Sequence, residues 1–217
     1  MNCLVIAATP LEIQPFLKKL QEGNVPTAPS IELDVLITGI GLLATAYTLQ
    51  KQIHLKRPDL IIQAGVGGCF DKKMKLGRVF IIKKEAIADQ SVVELNALKT
   101  LFDLDLVPAN QPPYQKGWLV NPHSILKKLR LPKVTGISVN EITTQPQKVR
   151  FYKKQFNPVI ESMEGAALHY IALQEKIPFI QFRSTSNYIA ERNKKNWDMP
   201  NAIESLNQSL LKLLQTL

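Results

Sequence analysis

The chain has 217 residues, of which 45% are hydrophobic and two are cysteines. This length and composition exclude a disordered segment and a small disulfide scaffold, and they predict one domain spanning residues 1–217. The 27 Lys+Arg residues outnumber the 18 Asp+Glu residues and give a net charge of +9, but they are scattered and no nucleic-acid motif accompanies them. We therefore predict no nucleic-acid partner.

The chain begins with a short apolar segment, MNCLVIAATP, that has no basic region before it and is far too short to span a bilayer. We predict no signal peptide, no membrane partner and a cytoplasmic location. Cys3 and Cys69 lack the spacing of a zinc or redox site, and His54, His123 and His169 lack paired ligand spacing. The sequence therefore predicts no metal.

Short β-branched apolar runs alternate with helical patterns along the chain. Strands are predicted at 3–8, 33–38, 60–64, 79–82, 134–139, 159–162 and 179–184, and helices at 11–21, 42–55, 163–175 and 202–214. Strands buried on both faces and separated by amphipathic helices indicate an α/β fold, with a mixed, mostly parallel central sheet flanked by helices. Residues 88–131 are rich in proline and are predicted to form a loop-rich excursion that helps to wall a pocket.

The first candidate site follows the first predicted strand, at Thr9-Pro10-Leu11-Glu12. A threonine N-cap, a proline at the first helical position and a glutamate as the third residue form the pattern of a capping box. Glu12 would also stand at the carboxyl end of a parallel strand, where α/β sheets bind ligands, and could serve there as a general base. Both interpretations remain open.

Two glycine motifs follow the next strands. TGIG at 38–41 with Ala44 matches a dinucleotide fingerprint, but Asp59, the candidate ribose-binding acid, precedes the next strand instead of ending it. We interpret this motif as a tight turn and predict no cofactor. GVGG at 65–68 is either a plain turn or the floor of a site for a sugar or base, since it lacks the lysine and hydroxyl of a phosphate loop.

Polar residues also gather where two later strands end, at Glu161-Ser162-Met163-Glu164 and at Arg183-Ser184-Thr185-Ser186-Asn187. A helix cap at Ser162 and a turn near Ser186 are the simpler explanations. Buried polar groups need partners, however, and two neighbouring strand ends with polar side chains can grip one ligand. We favour a small-molecule site.

The motifs and their order resemble the nucleoside phosphorylase and nucleosidase superfamily, which includes the methylthioadenosine/S-adenosylhomocysteine nucleosidases. The resemblance lies in the segment to Glu12, TGIG, AGVGG, SMEGAA and FRSTSN. The resemblance covers most of the chain. SMEGAA followed by STSNYIAERNKKNW is most similar to the futalosine hydrolases of the alternative menaquinone pathway. The resemblance implies a cofactor-independent hydrolase of an N-glycosidic bond, a nucleoside substrate and a homo-oligomer.

The resemblance also implies roles for individual residues. Glu12 would activate the water that attacks the anomeric carbon, Glu164 and the Met163 backbone would hold the ribose hydroxyls, and Arg183 would organise the site. The predicted catalytic residues are Glu12, Asn187 and Glu164, and the predicted substrate-binding residues are Gly65, Val66, Gly67, Ile142, Met163, Arg183 and Ser186.

Asn187 stands where the adenine-cleaving nucleosidases carry an aspartate. An asparagine amide can donate a hydrogen bond toward N7 and the oxygen of a 6-oxopurine, so this residue favours hypoxanthine as the leaving base. The carboxyphenyl group of futalosine would need a cation, for which Arg192, Lys194 and Lys195 are candidates.

Three alternatives remain beside futalosine hydrolysis. They are a methylthioadenosine/S-adenosylhomocysteine nucleosidase, a phosphate-dependent purine nucleoside phosphorylase, and a nucleotide- or nucleic-acid-binding module that uses the basic surface. Glu12 favours hydrolysis over phosphorolysis, because a carboxylate repels phosphate but can deprotonate water.

Overall fold

The structure of the protein is a computed structural model that describes residues 1–217. It contains ten strands and six α-helices. The strands are β1 (Asn2–Ala7), β2 (Glu32–Ile37), β3 (Leu60–Cys69), β4 (Val79–Ile87), β5 (Ser91–Glu94), β6 (Ala97–Thr100), β7 (Leu119–Val120), β8 (Lys133–Ser138), β9 (Ile160–Ser162) and β10 (Phe179–Tyr188). The helices are α1 (Gln14–Gln21), α2 (Leu42–Leu55), α3 (Ile125–Lys128), α4 (Pro146–Phe156), α5 (Gly165–Gln174) and α6 (Met199–Leu214).

The central sheet is organised around β3. This strand pairs in parallel with β1 and β10, and its last two residues pair antiparallel with β9. Since β10 also pairs with β4, β4 with β8 and β8 with β9, these strands form a closed ring with β3, and β1 and β2 extend the sheet on one side. Parallel pairs predominate, as the sequence predicts.

Helices cover the sheet on both faces, because each buries an apolar stripe against it. The largest core cluster joins α1 and α6 to β1, β3 and β10, and it includes Phe16, Ile62, Phe182 and Leu210. A second cluster joins α2 and α5 to the opposite face, and a third lies under α4. The predicted α/β class with helices flanking a mixed sheet is confirmed.

Three strands are longer in the structure than the sequence predicts. The glycine segment at residues 65–68 is not a turn, because β3 continues to Cys69 with β10 beside it in register. Likewise β10 continues through Arg183–Asn187, and β4 runs to Ile87. Glycines and polar residues lower strand propensity, but here the paired backbone of neighbouring strands keeps these segments extended.

Two other elements differ from the prediction. The sequence does not predict α4, whose apolar side chains are few and lie among cations. The segment 88–131 contains the hairpin β5–β6, the short strand β7 and α3, so it has more regular structure than a loop-rich excursion. The TGIG motif is a tight turn, as predicted, with φ of +84° at Gly39 and +94° at Gly41. In the 217 residues, no helix combines the length and apolar character needed to cross a membrane.

Candidate active site

A cavity of about 250 Å³ opens where β1, β3, β8, β9 and β10 lead into the segments that follow them. Its walls contain most of the residues that the sequence singles out. Of the predicted site residues, Glu12, Val66, Gly67, Ile142, Met163, Glu164, Ser186 and Asn187 line this cavity. The geometry therefore brings the ends of five separate motifs to one place.

Glu12 lies in a 3-10 turn, Pro10–Ile13, directly after β1. One carboxylate oxygen accepts a hydrogen bond from the backbone N–H of Val66 at 3.0 Å, and the other accepts from the backbone N–H of Thr9 at 3.0 Å. Asn207 of α6 fixes the turn by donating to the Glu12 carbonyl at 2.9 Å. The carboxylate thus caps the turn and also faces the cavity, so the two interpretations of the sequence are compatible.

The carboxyl group of Glu12 is 7% exposed, and burial raises its pKa above the ordinary value. The neighbouring Arg183 cation and the Val66 N–H oppose this shift, because both stabilise the ionised form. A carboxylate with a raised pKa is a stronger base than a solvent-exposed one. It is therefore suited to taking a proton from water in the cavity.

Glu164 is held at both oxygens at the start of α5. The Nη1 atom of Arg183 donates to one oxygen at 3.3 Å, and the backbone N–H of Gly41 donates to the other at 3.2 Å. The TGIG turn therefore contributes to the site by positioning this carboxylate. Because both oxygens are fixed, Glu164 presents its remaining lone pairs to the cavity in a defined orientation.

Gly65 and Arg183, which the sequence predicts to bind substrate, do not line the cavity. Arg183 is 1% exposed and lies behind the wall, where Nη1 also donates to the Val66 carbonyl at 3.2 Å. A side chain at Gly65 would overlap Nη1 of Arg183, and its Cβ would lie 3.0 Å from Glu12. Gly65 and Arg183 therefore lie next to Glu12 and Glu164 on the side away from the cavity, and neither residue contacts the cavity.

Arg183 is in turn positioned by a chain of buried, hydrogen-bonded polar side chains that the sequence does not predict. Its Nε atom donates to Gln181 at 3.0 Å, and Gln181 donates to Glu85 at 2.9 Å. Ser138 donates to the second oxygen of Glu85 at 3.1 Å. Burial raises the pKa of Glu85 to about 7. The single polar residue Gln181 within the apolar run PFIQF is a signal that could have revealed this chain, whereas Glu85 follows two lysines in VFIIKKEAI and does not stand out.

Asn187 has a fixed amide orientation. The hydroxyl of Ser186 donates to the amide oxygen at 2.9 Å, and the amide nitrogen donates to the Tyr188 carbonyl at 3.0 Å. An amide nitrogen carries two hydrogens, so one remains for a ligand. The residue therefore offers the cavity a donor, because its acceptor is already used by Ser186.

The cavity is also lined by Ile142, Arg192, Trp197 and Met199. The guanidinium of Arg192 lies over the Trp197 ring, 5.6 Å from its centroid. Arg192 is the one cation among the lining residues, since Lys194 and Lys195 lie outside the cavity. Of the three predicted partners for a substrate carboxylate, the structure therefore retains Arg192.

The segment 88–131 contributes no residue to this cavity, but its residues, among them Thr100 and Phe102, line two other pockets. Its hairpin packs beside α4 on another part of the surface. His169 is fully buried, and its pKa is lowered to about 3 because burial disfavours the charged ring. It is a neutral core residue whose Nδ1–H group donates to the Leu119 carbonyl at 2.9 Å, as its position within α5 suggests.

Comparisons with known proteins agree on one group. A family model described as the phosphorylase superfamily matches residues 3–217. The methylthioadenosine/S-adenosylhomocysteine nucleosidase of Buchnera aphidicola subsp. Schizaphis graminum is 27% identical, with 94% of this chain and 88% of that protein covered. The futalosine hydrolase of Thermus thermophilus is 22% identical, with 82% and 80% covered.

Solved structures show the same fold. The futalosine hydrolase of Helicobacter pylori strain 26695 is similar with a TM-score of 0.80 at 16% identity, covering 100% of this chain and 98% of that one. The Helicobacter pylori methylthioadenosine/S-adenosylhomocysteine nucleosidase with butyl-thio-DADMe-Immucillin-A gives a TM-score of 0.79 at 16% identity, covering 100% and 99%.

Proposed function

The chain belongs to the phosphorylase superfamily, and on that premise we propose that it hydrolyses the N-glycosidic bond of futalosine and releases hypoxanthine. The general activity in this proposal, hydrolysis of a purine nucleoside, is consistent with the names of the nucleosidases and of the hydrolase to which the chain is similar. The observation that carries the proposal is the placement of a base, Glu12, a fixed carboxylate, Glu164, and an amide donor, Asn187, around one cavity. No cofactor takes part in the proposed reaction.

In the proposed reaction, Glu12 takes a proton from water while the oxygen attacks the anomeric carbon. The bond between that carbon and the purine nitrogen breaks, and its electron pair leaves with the base. Glu164, held by Arg183 and Gly41, accepts hydrogen bonds from the ribose hydroxyls and stabilises the oxocarbenium-like sugar. Asn187 donates to the departing base, which then takes its proton from solvent, because an amide is not acidic enough to supply one.

Hydrolysis is favoured over phosphorolysis by the charges around Glu12. A phosphate nucleophile needs cations or free N–H donors, but the Val66 N–H is already bonded to Glu12 and Arg183 lies behind the wall. The lining cation, Arg192, lies over the Trp197 ring and makes no ion pair or hydrogen bond with Glu12. A carboxylate in this position repels phosphate and accepts a proton from water.

Two features of the cavity support futalosine over methylthioadenosine or S-adenosylhomocysteine. Asn187 presents an amide donor, which suits the oxygen and N7 of a 6-oxopurine. Arg192 and Trp197 form a cationic and aromatic wall, which suits the carboxyphenyl group of futalosine. Hydrolysis of methylthioadenosine and S-adenosylhomocysteine is the second candidate activity, since most of the similar curated proteins are nucleosidases of these two compounds.

The variant Arg192→Ala tests the choice of substrate. We expect the KM for futalosine to rise about tenfold or more, because one charge-assisted hydrogen bond is lost, while the KM for inosine stays within about twofold. Lys194→Ala is the matched control, since Lys194 is a neighbouring cation outside the cavity, and both constants should then stay near those of the unmodified enzyme. Equal losses for futalosine and inosine in Arg192→Ala would refute the proposed carboxylate contact.

A further inference from the structure

A chain of buried hydrogen bonds approaches Glu164 from behind the cavity. It runs from Glu85 through Gln181 to Arg183, whose Nη1 atom donates to the Glu164 carboxylate at 3.3 Å. Glu85, Gln181 and Arg183 are each 1% exposed or less, and none of them lines the cavity. These three residues can therefore act on a ligand only through the cavity wall, and Glu164 is the lining side chain to which they are hydrogen-bonded.

A second chain joins Glu85 to the same part of the site. The hydroxyl of Ser138 donates to the other oxygen of Glu85 at 3.1 Å and accepts from the backbone N–H of Ala166 at 2.9 Å. Ala166 lies in the first turn of α5, directly after Glu164 and Gly165. The two chains therefore form a closed ring, in which Glu85 on β4 links β8, β10 and the start of α5.

The direction of the bonds in the first chain follows from the donors and acceptors available. A guanidinium group only donates, so the amide oxygen of Gln181 faces Arg183 and its amide nitrogen faces Glu85. A buried amide nitrogen without an acceptor is costly, so the carboxylate of Glu85 keeps Gln181 in this orientation. Glu85 therefore fixes the Arg183 guanidinium through Gln181.

Two glycines leave the space that the ring occupies. A Cβ at Gly165 would lie 2.5 Å from the amide oxygen of Gln181 and 2.7 Å from Oε2 of Glu85, and a Cβ at Gly136 would lie 2.6 Å from the same carboxylate oxygen. Neither glycine has a positive φ, so the backbone conformation does not require glycine at these positions. The side chains of the ring explain why glycine is needed there.

From this arrangement we propose that Glu85 is a positioning residue for the proposed hydrolysis, because the ring that it closes holds Arg183 and the start of α5 and thereby fixes the Glu164 carboxylate toward the sugar. This inference rests on the proposed function and deepens it. A carboxylate that is fixed in advance needs no reorganisation when positive charge develops on the sugar. The ring therefore raises kcat although Glu85 does not touch the substrate.

The test separates the hydrogen bonds of Glu85 from its place in the core. Glu85→Met keeps the length of the side chain but removes both acceptors, and kcat for hypoxanthine release from futalosine should fall about tenfold or more. In Glu85→Gln the new amide can accept from Gln181 and donate to Ser138, so this variant should recover most of the lost kcat. Urea denaturation of each variant establishes that the rates are measured on folded protein.

A double-mutant cycle shows whether the ring acts as one unit. Gln181→Met opens the same chain and should lower kcat about as much as Glu85→Met. Because either change already opens the chain, the double variant should lose at most about threefold more than either single variant. Two independent effects would instead multiply, and that result would contradict a common path through Arg183.

Asn121→Leu is the matched control, since Asn121 is 3% exposed and donates to the Phe179 carbonyl outside both the ring and the cavity. It removes a buried polar group in the same way but should leave kcat unchanged. Unchanged kcat in Glu85→Met, equal losses in Glu85→Met and Glu85→Gln, or an equal loss in Asn121→Leu would overturn the inference and leave the proposed function standing. Failure of the unmodified enzyme to release hypoxanthine from futalosine would instead contradict the proposed function.

Discussion

At the scale of single residues, Glu12 combines a structural and a chemical role. Its carboxylate closes the turn after β1 by accepting from the Thr9 N–H, and it faces the cavity with a raised pKa. The sequence could identify this residue, because a capping box after a parallel strand necessarily lies at the carboxyl edge of the sheet. It could not establish the Val66 contact, which depends on how β3 passes beside the turn.

Replacement of the base tests that role. In Glu12→Gln we expect kcat for nucleoside hydrolysis to fall roughly 100-fold or more, because glutamine keeps the size of the side chain and one accepting oxygen but cannot take a proton. In the unmodified enzyme, kcat/KM should fall as the pH drops through the pKa of Glu12, since the base must be ionised. That inflection should lie above 4.5, because burial raises the pKa from this value.

Glu22→Gln is the control for this prediction, since Glu22 is an exposed residue directly after α1 and does not line the cavity. It should leave both the rate and the pH profile unchanged. Full activity in Glu12→Gln, or an acid inflection at or below 4.5, would exclude Glu12 as the base.

Asn187 provides a second test at this scale. Asn187→Asp should lower kcat/KM for futalosine relative to methylthioadenosine by about tenfold or more, because a carboxylate repels the oxygen of a 6-oxopurine. Rates for both nucleosides, measured by release of the free base, give the ratio. Asn193→Asp is the matched control, since Asn193 caps the 3-10 turn Lys194–Asn196 outside the cavity and an aspartate can do the same. An unchanged ratio in Asn187→Asp would count against readout of the base by the amide.

At the scale of secondary structure, the predicted types are mostly right, and the errors have identifiable causes. The strands β3 and β10 extend beyond their apolar runs because each pairs with the other through the glycine and polar segments. Helix α4 is missed because its apolar side chains, Val149, Phe151, Tyr152 and Phe156, are mixed with an equal number of cations. Sequence periodicity detects burial, whereas backbone pairing and a narrow buried stripe become visible only in the fold.

The polar chain between β4 and β10 predicts how stability depends on pH. Glu85 has a folded-state pKa of about 7 against an ordinary value of 4.5, so the folded protein binds a proton that the unfolded chain releases. The stabilisation from this group is complete below pH 4.5 and is lost as the pH rises to about 7. The loss amounts to about 3 kcal/mol in the free energy of unfolding.

Urea denaturation of Glu85→Gln and of the unmodified protein across this pH range tests the assignment. Glutamine does not ionise, so the stability of the variant relative to the unmodified protein should increase with pH and then level off. Glu94→Gln is the control, because it makes the same chemical change at an exposed position outside the core and its difference in stability from the unmodified protein should not change with pH. A difference between Glu85→Gln and the unmodified protein that is also independent of pH would show that Glu85 titrates normally.

At the scale of the whole molecule, we propose that residues 1–217 act as one domain that self-associates. Three apolar side chains at the start of α2 and beside the cavity are exposed: Ile40 by 61%, Leu43 by 83% and Tyr47 by 69%. Exposed apolar side chains gathered on one surface are typical of an interface. The net charge of +9 does not identify this surface, since its cations are spread along the chain.

Light scattering after size-exclusion chromatography measures the assembly. The unmodified protein should elute as a dimer or larger species, and Leu43→Glu should shift it toward the monomer because a charge is placed at the interface. Leu55→Glu is the control, as Leu55 is 70% exposed at the opposite end of the same helix. A monomeric unmodified protein would contradict the proposal.

The meeting of Glu12 and Asn187 could be predicted from sequence because β1 and β10 both run parallel to β3 and their carboxyl ends converge. Glu164 follows β9, which runs antiparallel to β3, so its place in the site depends on the fold. What sequence could not supply is which polar atoms remain unsatisfied. The free oxygen of Glu161 and the chain from Arg183 to Glu85 arise from side-chain packing across strands distant in sequence.

The most direct test of the account is release of hypoxanthine from futalosine in phosphate-free buffer, with inosine and methylthioadenosine measured beside it. We expect fast release of hypoxanthine from futalosine without phosphate, and slower release of base from the other two nucleosides. Turnover that requires phosphate would contradict hydrolysis, and faster cleavage of methylthioadenosine than of futalosine would contradict the proposed substrate.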